Sequence, residues 1–316
     1  NRIGVWAKRG FWRISVAVIA VLALLYLLGR VLTHAGRDSV FASGTELAGA
    51  WWLAFFSIFV SLLVLVELGG LVSWVISRAA TGQGRTVFGW LAAGPGWARW
   101  ATAGGMIGLA LTGTVAGALR VKQPPREIRL NVRVPDAPQG LQRLVQASDL
   151  HLGAILPQEQ WETILDTITN AAPDVLLLTG DIVEDHTKRG HAQLRQLRER
   201  LAGVPIFMTT GNHEKYSGTD QLPELLSSLD IRLLRQEAVD LGGLWLAGID
   251  DPQLTGYDAS VPAIRRIVPE DAPMLLMSHQ PQVVRRLADR PATLILSGHV
   301  HGGQIPPFQI LAPLSN

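Results

Sequence analysis

The sequence contains no cysteine. This absence excludes disulfide bonds, thiolate metal ligands and a cysteine nucleophile, and it leaves the redox compartment of the protein undecided. Charge is also scarce, because only 17% of the 316 residues are Asp, Glu, Lys or Arg. Any metal site must therefore use ligands other than thiolate.

Acidic residues are nearly absent from the first third of the chain. Residues 1–119 contain three acids, Asp38, Glu46 and Glu67, against nine Lys and Arg. The other 23 acids and 19 bases follow in 120–316, which reads as an ordinary, mildly acidic soluble domain. The pI near 9.2 thus reflects the basic edges of an apolar segment, and we expect no nucleic-acid partner.

Long apolar runs fill this amino-terminal part. We predict membrane helices at about 11–33, 47–76 and 99–119. Each run approaches the ~20 apolar residues that cross a bilayer, and tryptophans lie near the ends, where indole rings favour the interface. The alternative, buried helices of a large soluble core, fits three such runs poorly. We therefore predict a multi-pass membrane domain over 1–121, in contact with membrane lipids of the cell membrane.

Basic residues on both sides of this domain bear on its orientation. Arg and Lys cluster before the first predicted span and again over 120–133, and the positive-inside rule places both clusters in the cytoplasm. That arrangement needs an even number of spans, whereas three are predicted. Either one span is missing or miscounted, or the carboxyl-terminal part lies outside the cell, and of the two we favour the cytoplasmic face.

A proline-containing, charged stretch over 122–140 is predicted to be a linker into a second domain, 141–316. Beyond it, six short apolar runs alternate with five segments of helical periodicity, an alternation typical of α/β layers with buried strands. The runs are LQRLVQASD, DVLLLTGD, VPIFMTTGN, LWLAGIDD, MLLMSHQ and TLILSGH, and the helical segments are 158–171, 189–202, 220–229, 258–267 and 282–289.

Polar residues that can bind metal follow five of these six runs. The motifs are SDLHLG (148–153), TGDIVED (179–185), TGNHE (210–214), MSHQP (277–281) and SGHVHGGQ (297–304). Strand carboxyl ends are where open α/β sheets bind ligands. Asp149 and His151 are two residues apart, so on a strand both would point to one face, and the same holds for His299 and His301.

This set of carboxylate, imidazole and amide groups suits Mn²⁺, Fe or Zn²⁺ better than Ca²⁺ or Mg²⁺. One shared carboxylate with ligands on both sides indicates two ions about 3.5–4 Å apart, an arrangement that clamps a phosphoryl group. Each fragment has a plainer reading alone: a glycine-rich turn, a surface pair, or a core histidine in the case of His279. Five fragments in order, each after a strand, favour one combined site.

The ordered set resembles the calcineurin-like metallophosphoesterase superfamily over about 142–306, and GHVHGGQ with the membrane runs is similar to its bacterial membrane-anchored branch. The resemblance implies a four-layer α/β/β/α sandwich carrying two metals. It implies a first ion held by Asp149, His151 and His301, a second held by Asn212, His279 and His299, and Asp181 bridging them.

The resemblance also implies that His213 binds no metal and acts on the leaving group as hydrogen-bond donor or general acid, oriented by Glu214 or Glu184. Adjacent residues of an extended chain face opposite ways, which would separate Asn212 from His213. Relatives continue with further strands beyond the position of Asn316, and this chain begins without Met. We therefore expect truncation at one or both ends, with carboxyl-terminal strands missing.

The predicted function is a membrane-anchored, dinuclear metal-dependent phosphoesterase with Mn²⁺ as the expected ion. The substrate is a phosphodiester or pyrophosphate, and the anchor favours a lipid-linked phosphate such as a nucleotide-sugar lipid. The alternatives are a phosphomonoesterase or protein phosphatase of the same fold, and a catalytically silent metal-binding membrane scaffold. An intact His213 argues against the silent scaffold.

Overall fold

The structure is a computed structural model of the 316-residue chain. It describes residues 20–29, 31–32, 40–81, 96–134, 140–153, 155–184, 188–217, 221–291 and 293–301. Two compact units divide the chain, one containing 44–123 and the other 124–302.

The first unit is helical. A short apolar helix α1 (Ala20–Gly29) precedes α2 (Val40–Thr81) and α3 (Gly96–Val121). Within the described part of the chain, α2 and α3 are long and apolar enough to cross a membrane. The predicted spans 47–76 and 99–119 lie inside them, whereas much of the predicted span 11–33 lies outside the described residues.

Helix α2 is longer than a membrane crossing requires. Its 42 residues extend over about 63 Å at 1.5 Å per residue, about twice the thickness of a bilayer hydrocarbon core. Close backbone contact joins it to α1, because a Cβ on Gly49 would clash with Tyr26. Glycine at this position is thus a packing requirement.

The second unit contains two four-stranded sheets. The first sheet is wholly parallel in the order β1-β2-β3-β4. Its strands are β1 (Leu144–Ala147), β2 (Val175–Thr179), β3 (Ile206–Thr209) and β4 (Ile231–Leu233), and its helices are α4 (Gln158–Asn170), α5 (Lys188–Arg200), α6 (Asn212–Ser217) and α7 (Leu222–Ser228). Every residue of β2 and β3 is buried, as expected of parallel strands covered on both faces.

The second sheet has the order β5-β6-β7-β8. Its strands are β5 (Glu237–Asp240), β6 (Trp245–Gly248), β7 (Met274–Met277) and β8 (Thr293–Leu296). The pair β5–β6 is antiparallel and the other pairs are parallel. Helix α8 (Tyr257–Ile267) and a 3₁₀ helix (Pro281–Arg286) make the parallel connections.

Three apolar layers hold these elements together. Alternate residues of β2 face opposite sides: Leu176 packs with Trp161 of α4, whereas Leu177 packs with Leu246 and Met277 of the other sheet. On the far side of the second sheet, Leu276 belongs to the cluster formed with α8 and the 3₁₀ helix. The order is therefore helices, sheet, sheet, helices, which confirms the predicted four-layer α/β/β/α sandwich.

Candidate metal centre

Five strands deliver the predicted site residues from their carboxyl ends. Asp149 and His151 follow β1, Asp181 follows β2, Asn212 follows β3, His279 follows β7, and His299 and His301 follow β8. The carboxyl ends of parallel strands lie at one edge of a sheet, and both sheets contribute here. The two sheets therefore meet at a common polar site.

The backbone at this site is unusual. Five of the seven predicted ligands have left-handed backbone, with φ of 56° at Asp149, 48° at His151, 52° at Asp181, 74° at His299 and 48° at His301. Such values are uncommon for residues other than glycine and cost on the order of 1–3 kcal/mol each, and they cluster at functional sites.

These values correct the prediction that strand alternation orients the Asp-x-His and His-x-His pairs. Strand β1 ends at Ala147 and β8 at Leu296, so neither pair lies on a strand. Left-handed residues turn the chain sharply after each strand. Loop geometry, not the pleat of a strand, points both members of each pair to the same place.

The side chains form two groups that share one carboxylate. Ligand atoms within 4.8 Å of one another are offered by Asp149, His151, Asp181 and His301, and again by Asp181, His279 and His299. Nε2 of His301 lies 3.1 Å from Oδ1 of Asp149, and Nε2 of His279 lies 3.1 Å from Oδ2 of Asp181. The structure thus brings six predicted ligands together in two sets joined at Asp181.

The seventh predicted ligand, Asn212, is buried beside the shared carboxylate. The backbone N–H of the next residue, His213, donates to Oδ1 of Asp181 over 2.8 Å. Within the described part of the chain, Oδ1 of Asn212 has no hydrogen-bond partner, and neither has Nε2 of His151. A buried acceptor left unmatched costs about 1–3 kcal/mol, so these two atoms fit the coordination of a cation.

A second contact orients two imidazoles. Nδ1 of His279 donates to the carbonyl of Thr179 over 3.0 Å, so Nε2 is the nitrogen that faces Asp181. Nδ1 of His151 likewise donates to Oε2 of Glu184 over 2.7 Å, so Nε2 is the nitrogen available to a cation. Metal-binding histidines are usually oriented in this way. The residues present therefore fit a pair of divalent cations.

Glycines allow the site residues to approach the backbone closely. A Cβ on Gly298 would overlap Ser148 and Asp149, one on Gly211 would overlap Asp181, and one on Gly180 would lie 2.7 Å from Nδ1 of His279. Glycine at 298 thus leaves room for Ser148 and Asp149. The other two glycines of the motif SGHVHGGQ, at 302 and 303, lie outside the described residues.

Neighbouring charges and hydrogen bonds shift the pKa values of His279 and Asp149. Burial lowers the pKa of His279, but the hydrogen bond and charge of Asp181 outweigh burial and raise the pKa to about 9. Burial raises the pKa of Asp149, yet hydrogen bonds from His301 and Ser148 bring it far below its usual range. A proton on His279 therefore competes with a cation for the same nitrogen.

His213 lies on helix α6, which corrects the prediction that it belongs to an extended chain. Its Nδ1 lies 2.6 Å from Oε2 of Glu184, and its Nε2 lies 3.9 Å from Oδ2 of Asp181. The same oxygen of Glu184 accepts from Nδ1 of His151. Glu184 therefore joins a predicted metal ligand to the predicted proton donor.

The carboxylate of Glu214, the other predicted partner of His213, is occupied elsewhere. It is fully buried and accepts backbone N–H groups of Asp181, Ile182, Val183 and Gly211 over 2.7–3.0 Å. Burial raises its pKa, and the backbone donors oppose that rise. Of the two predicted carboxylates, Glu184 orients His213 and Glu214 fixes the loops after β2 and β3.

Two buried aspartates follow β6. Asp251 begins a turn, since its carbonyl accepts the N–H of Leu254. Asp250 is also buried and accepts from Arg235 over 2.9 Å and from Thr210 over 2.9 Å. Sequence inspection missed this network, because nothing in the motif DD distinguishes a buried acceptor from a solvated one.

Comparisons with known proteins agree with this geometry. The calcineurin-like phosphoesterase family matches residues 142–303. An uncharacterized metallophosphoesterase of Helicobacter pylori is 30% identical over 177 residues, which cover 55% of this chain and 48% of that protein. A transmembrane protein with metallophosphoesterase domain from Bos taurus is 32% identical over 226 residues, which cover 64% and 50%.

Among solved structures, a 5'-nucleotidase precursor from Thermus thermophilus aligns with a TM-score of 0.38 and 19% identity, over 50% of this chain and 41% of that one. The chain spans about half the length of the curated relatives it matches.

Proposed function

Since the chain belongs to the calcineurin-like phosphoesterase family, we propose that it is a metal-dependent phosphoester hydrolase that cleaves a phosphodiester or pyrophosphate bond. One observation supports this more than any other: two groups of ligand atoms share Asp181 at the joint edge of two sheets. A shared carboxylate between two cation sites is the arrangement used to clamp a phosphoryl group.

The ligands divide between two ions. We assign Asp149, His151 and His301 to the first ion, Asn212, His279 and His299 to the second, and Asp181 to both. When bound, such ions stabilise the charge on a transferring phosphoryl group and supply a nucleophile at neutral pH. Oxygen and imidazole donors without thiolate favour Mn²⁺, with Fe or Zn²⁺ as alternatives.

His213 supplies the proton for the leaving oxygen. Glu184 lies against Nδ1, so Nε2 is the atom directed towards Asp181 and the substrate. A carboxylate against Nδ1 holds the ring in one orientation, as a positioned general acid requires. Glu184 also accepts from His151, so a change at Glu184 acts on proton transfer and on the first ion together.

We propose that helices α2 and α3 anchor the enzyme in the cell membrane. The division is a membrane domain over 1–121, a linker over 122–140 and a catalytic domain over 141–316, with the catalytic domain at the cytoplasmic face. The length and apolar composition of the helices support the anchor, as does the bovine relative named a transmembrane protein. An anchored catalytic domain favours a lipid-linked phosphate, such as a nucleotide-sugar lipid, as substrate.

The test uses the full chain purified in detergent with Mn²⁺. It is assayed on bis-p-nitrophenyl phosphate, a diester, and p-nitrophenyl phosphate, a monoester. We expect faster turnover of the diester, and we expect His213→Ala to lose about 10²–10⁴-fold in kcat while it retains both ions. His191→Ala, which changes a histidine on α5, is the matched control and keeps full activity.

The outcomes separate the alternatives. Faster monoester turnover would replace the diesterase with a phosphomonoesterase or protein phosphatase. No turnover of either ester with two ions bound would favour the catalytically silent scaffold. Turnover unchanged by His213→Ala would refute the assigned proton donor.

A further inference from the structure

An exposed aromatic ring lies beside the proposed proton donor. The ring of Tyr216 meets that of His213 edge to face, with centroids 5.6 Å apart and planes at 69°. Tyr216 is nevertheless 54% exposed. Tyr216 therefore contacts His213 through its ring while more than half of the residue remains exposed.

Hydrogen bonds hold this ring in place. The hydroxyl of Tyr216 donates to Oε1 of Gln253 over 3.0 Å, and Nζ of the preceding Lys215 donates to the carbonyl of Gln253 over 2.8 Å. Gln253 lies in the loop after β6. Two contacts from consecutive residues of α6 thus bind one residue of that loop.

Further hydrogen bonds link Gln253 to the residue that follows His279. The backbone N–H of Gln253 donates to Oδ1 of Asp251 over 2.9 Å, and Oδ2 of Asp251 accepts from Gln280, which follows His279. Asp251 is fully buried. A ring fixed at its hydroxyl to a loop with a buried support is preorganised, so little rotamer entropy is lost when a ligand stacks on it.

We propose that Tyr216 is a specificity-determining residue that favours substrates with a flat aromatic leaving group, such as an aryl alcohol or a base-bearing nucleotide. The inference rests on the proposed function, because it takes the leaving oxygen to lie at His213. An aromatic ring beside that atom contacts whatever the leaving oxygen carries. Aromatic pairs contribute about 0.5–1.5 kcal/mol beyond the area they bury, which corresponds to about 2- to 12-fold in affinity.

The experiment compares two diesters whose leaving groups have similar acidity and different shape: methyl phenyl phosphate and methyl hexafluoroisopropyl phosphate. Both are assayed with the full chain and Mn²⁺, and kcat and KM are measured separately. We expect the wild type to prefer the phenyl ester. We expect Tyr216→Ala to lower kcat/KM for that ester about three- to tenfold, mainly through KM, and for the fluoroalkyl ester less than about twofold.

Two further variants separate the ring from its tether. Tyr216→Phe keeps the ring and loses the bond to Gln253, so we expect most of the preference for the phenyl ester to remain. Lys215→Ala removes the neighbouring bond to the same residue and keeps the ring, so we expect it to change the preference by less than about twofold. Loss of preference in Tyr216→Ala alone supports the proposal.

Other results overturn it. An equal loss on both esters in Tyr216→Ala would mean that the ring only supports His213. A wild type that hydrolyses both esters without preference would refute the specificity role and leave the proposed function standing. A wild type that hydrolyses neither ester, nor the p-nitrophenyl diester, would overturn the proposed function and this inference with it.

Discussion

The two halves of the candidate metal centre differ in how they are built. The half that contains His151 and His301 is formed by loops, and the side chains of these residues are 26% and 27% exposed. The half that contains His279 directly follows a fully buried strand, and the side chain of His279 is completely buried. The half with His151 and His301 is therefore the more open one, and the half with His279 is the more buried one, although His299 in that half is partly exposed.

Because of this difference, we expect loss of a ligand to be better tolerated in the open half than in the buried half. In the open half, water can occupy the place of a lost ligand. In the buried half, loss of the His279 imidazole removes the contact to Oδ2 of Asp181, a residue that is only 1% exposed. The four predictions that follow test this asymmetry, beginning with the residue that both halves share.

Removal of the shared carboxylate has the largest expected effect. Asp181→Ala should lose both ions and lower kcat by at least about 10³-fold, which is about 4 kcal/mol of transition-state stabilisation. Metal content is measured by mass spectrometry, with Asp258→Ala, a change on the exposed start of α8, as control. Two ions retained in Asp181→Ala would refute the sharing and with it the division into halves.

Removal of the buried Glu214 carboxylate, which binds the loops after β2 and β3, should lower the free energy of unfolding. Glu214→Ala leaves backbone N–H groups of Asp181, Ile182, Val183 and Gly211 without their acceptor. We expect the free energy of unfolding to fall by about 3 kcal/mol, since each unmatched buried group costs about 1–3 kcal/mol and such costs do not simply add. Urea denaturation measures the change.

Glu199→Ala, at an exposed position of α5, is the matched control for Glu214→Ala and should change stability by less than about 0.5 kcal/mol. A Glu214→Ala protein as stable as this control would mean that the loops after β2 and β3 hold their conformation without the carboxylate.

The third prediction compares the halves directly. His301→Ala should weaken binding of one ion at least about 10-fold, and excess Mn²⁺ should restore most of the activity. His279→Ala should not be rescued by excess Mn²⁺, because water does not readily take the place of a completely buried ligand. Activity measured against Mn²⁺ concentration distinguishes the two variants. Equal rescue of both would refute the proposed difference between the two halves.

The smallest effect concerns the support behind the buried half. Burial raises the pKa of Asp250, but hydrogen bonds from Arg235 and Thr210 outweigh it, so the folded pKa is lowered. A lowered carboxyl pKa stabilises the fold above the unfolded value near about pH 4, and the contribution disappears as pH falls through the folded value.

Arg235→Met should therefore lower the free energy of unfolding by about 1 kcal/mol at pH 7, with a gap from wild type that narrows below about pH 4. Denaturation at pH 7, 5 and 3 measures it. Arg200→Met, which removes an ion pair between exposed side chains, is the control and should change little at any pH. If the difference in free energy of unfolding between Arg235→Met and wild type grew below about pH 4, the stabilising contribution of the ionised Asp250 would be refuted.

The strands were predictable from sequence where burial was complete. VLLLT and IFMT are continuous apolar runs, and a parallel strand covered on both faces has that composition. Strands β4 and β5 were not predicted, because IRL and EAVD are short and mix charge with apolar residues without a period. Their pairing depends on neighbours, which a local pattern does not contain.

The site residues were predictable as a set, and their orientation was not. Motif order placed Asp149, Asp181 and His279 together because all follow strands. The left-handed backbone at Asp149 has no local signature, since the residue is not glycine. Likewise, the motifs TGDIVED and TGNHE offer two carboxylates, Glu184 and Glu214, as partners of His213. The sequence does not distinguish Glu184, which contacts the imidazole, from Glu214, which accepts backbone N–H groups.

The left-handed ligands have a consequence for anyone who engineers this protein. Glycine at His299 would relax the backbone and simultaneously delete a proposed metal ligand, so we expect thermal stability and turnover to move in opposite directions. A screen that ranks clones by melting temperature alone would enrich such inactive variants. A selection for stability in this protein must therefore also measure hydrolytic activity in every round.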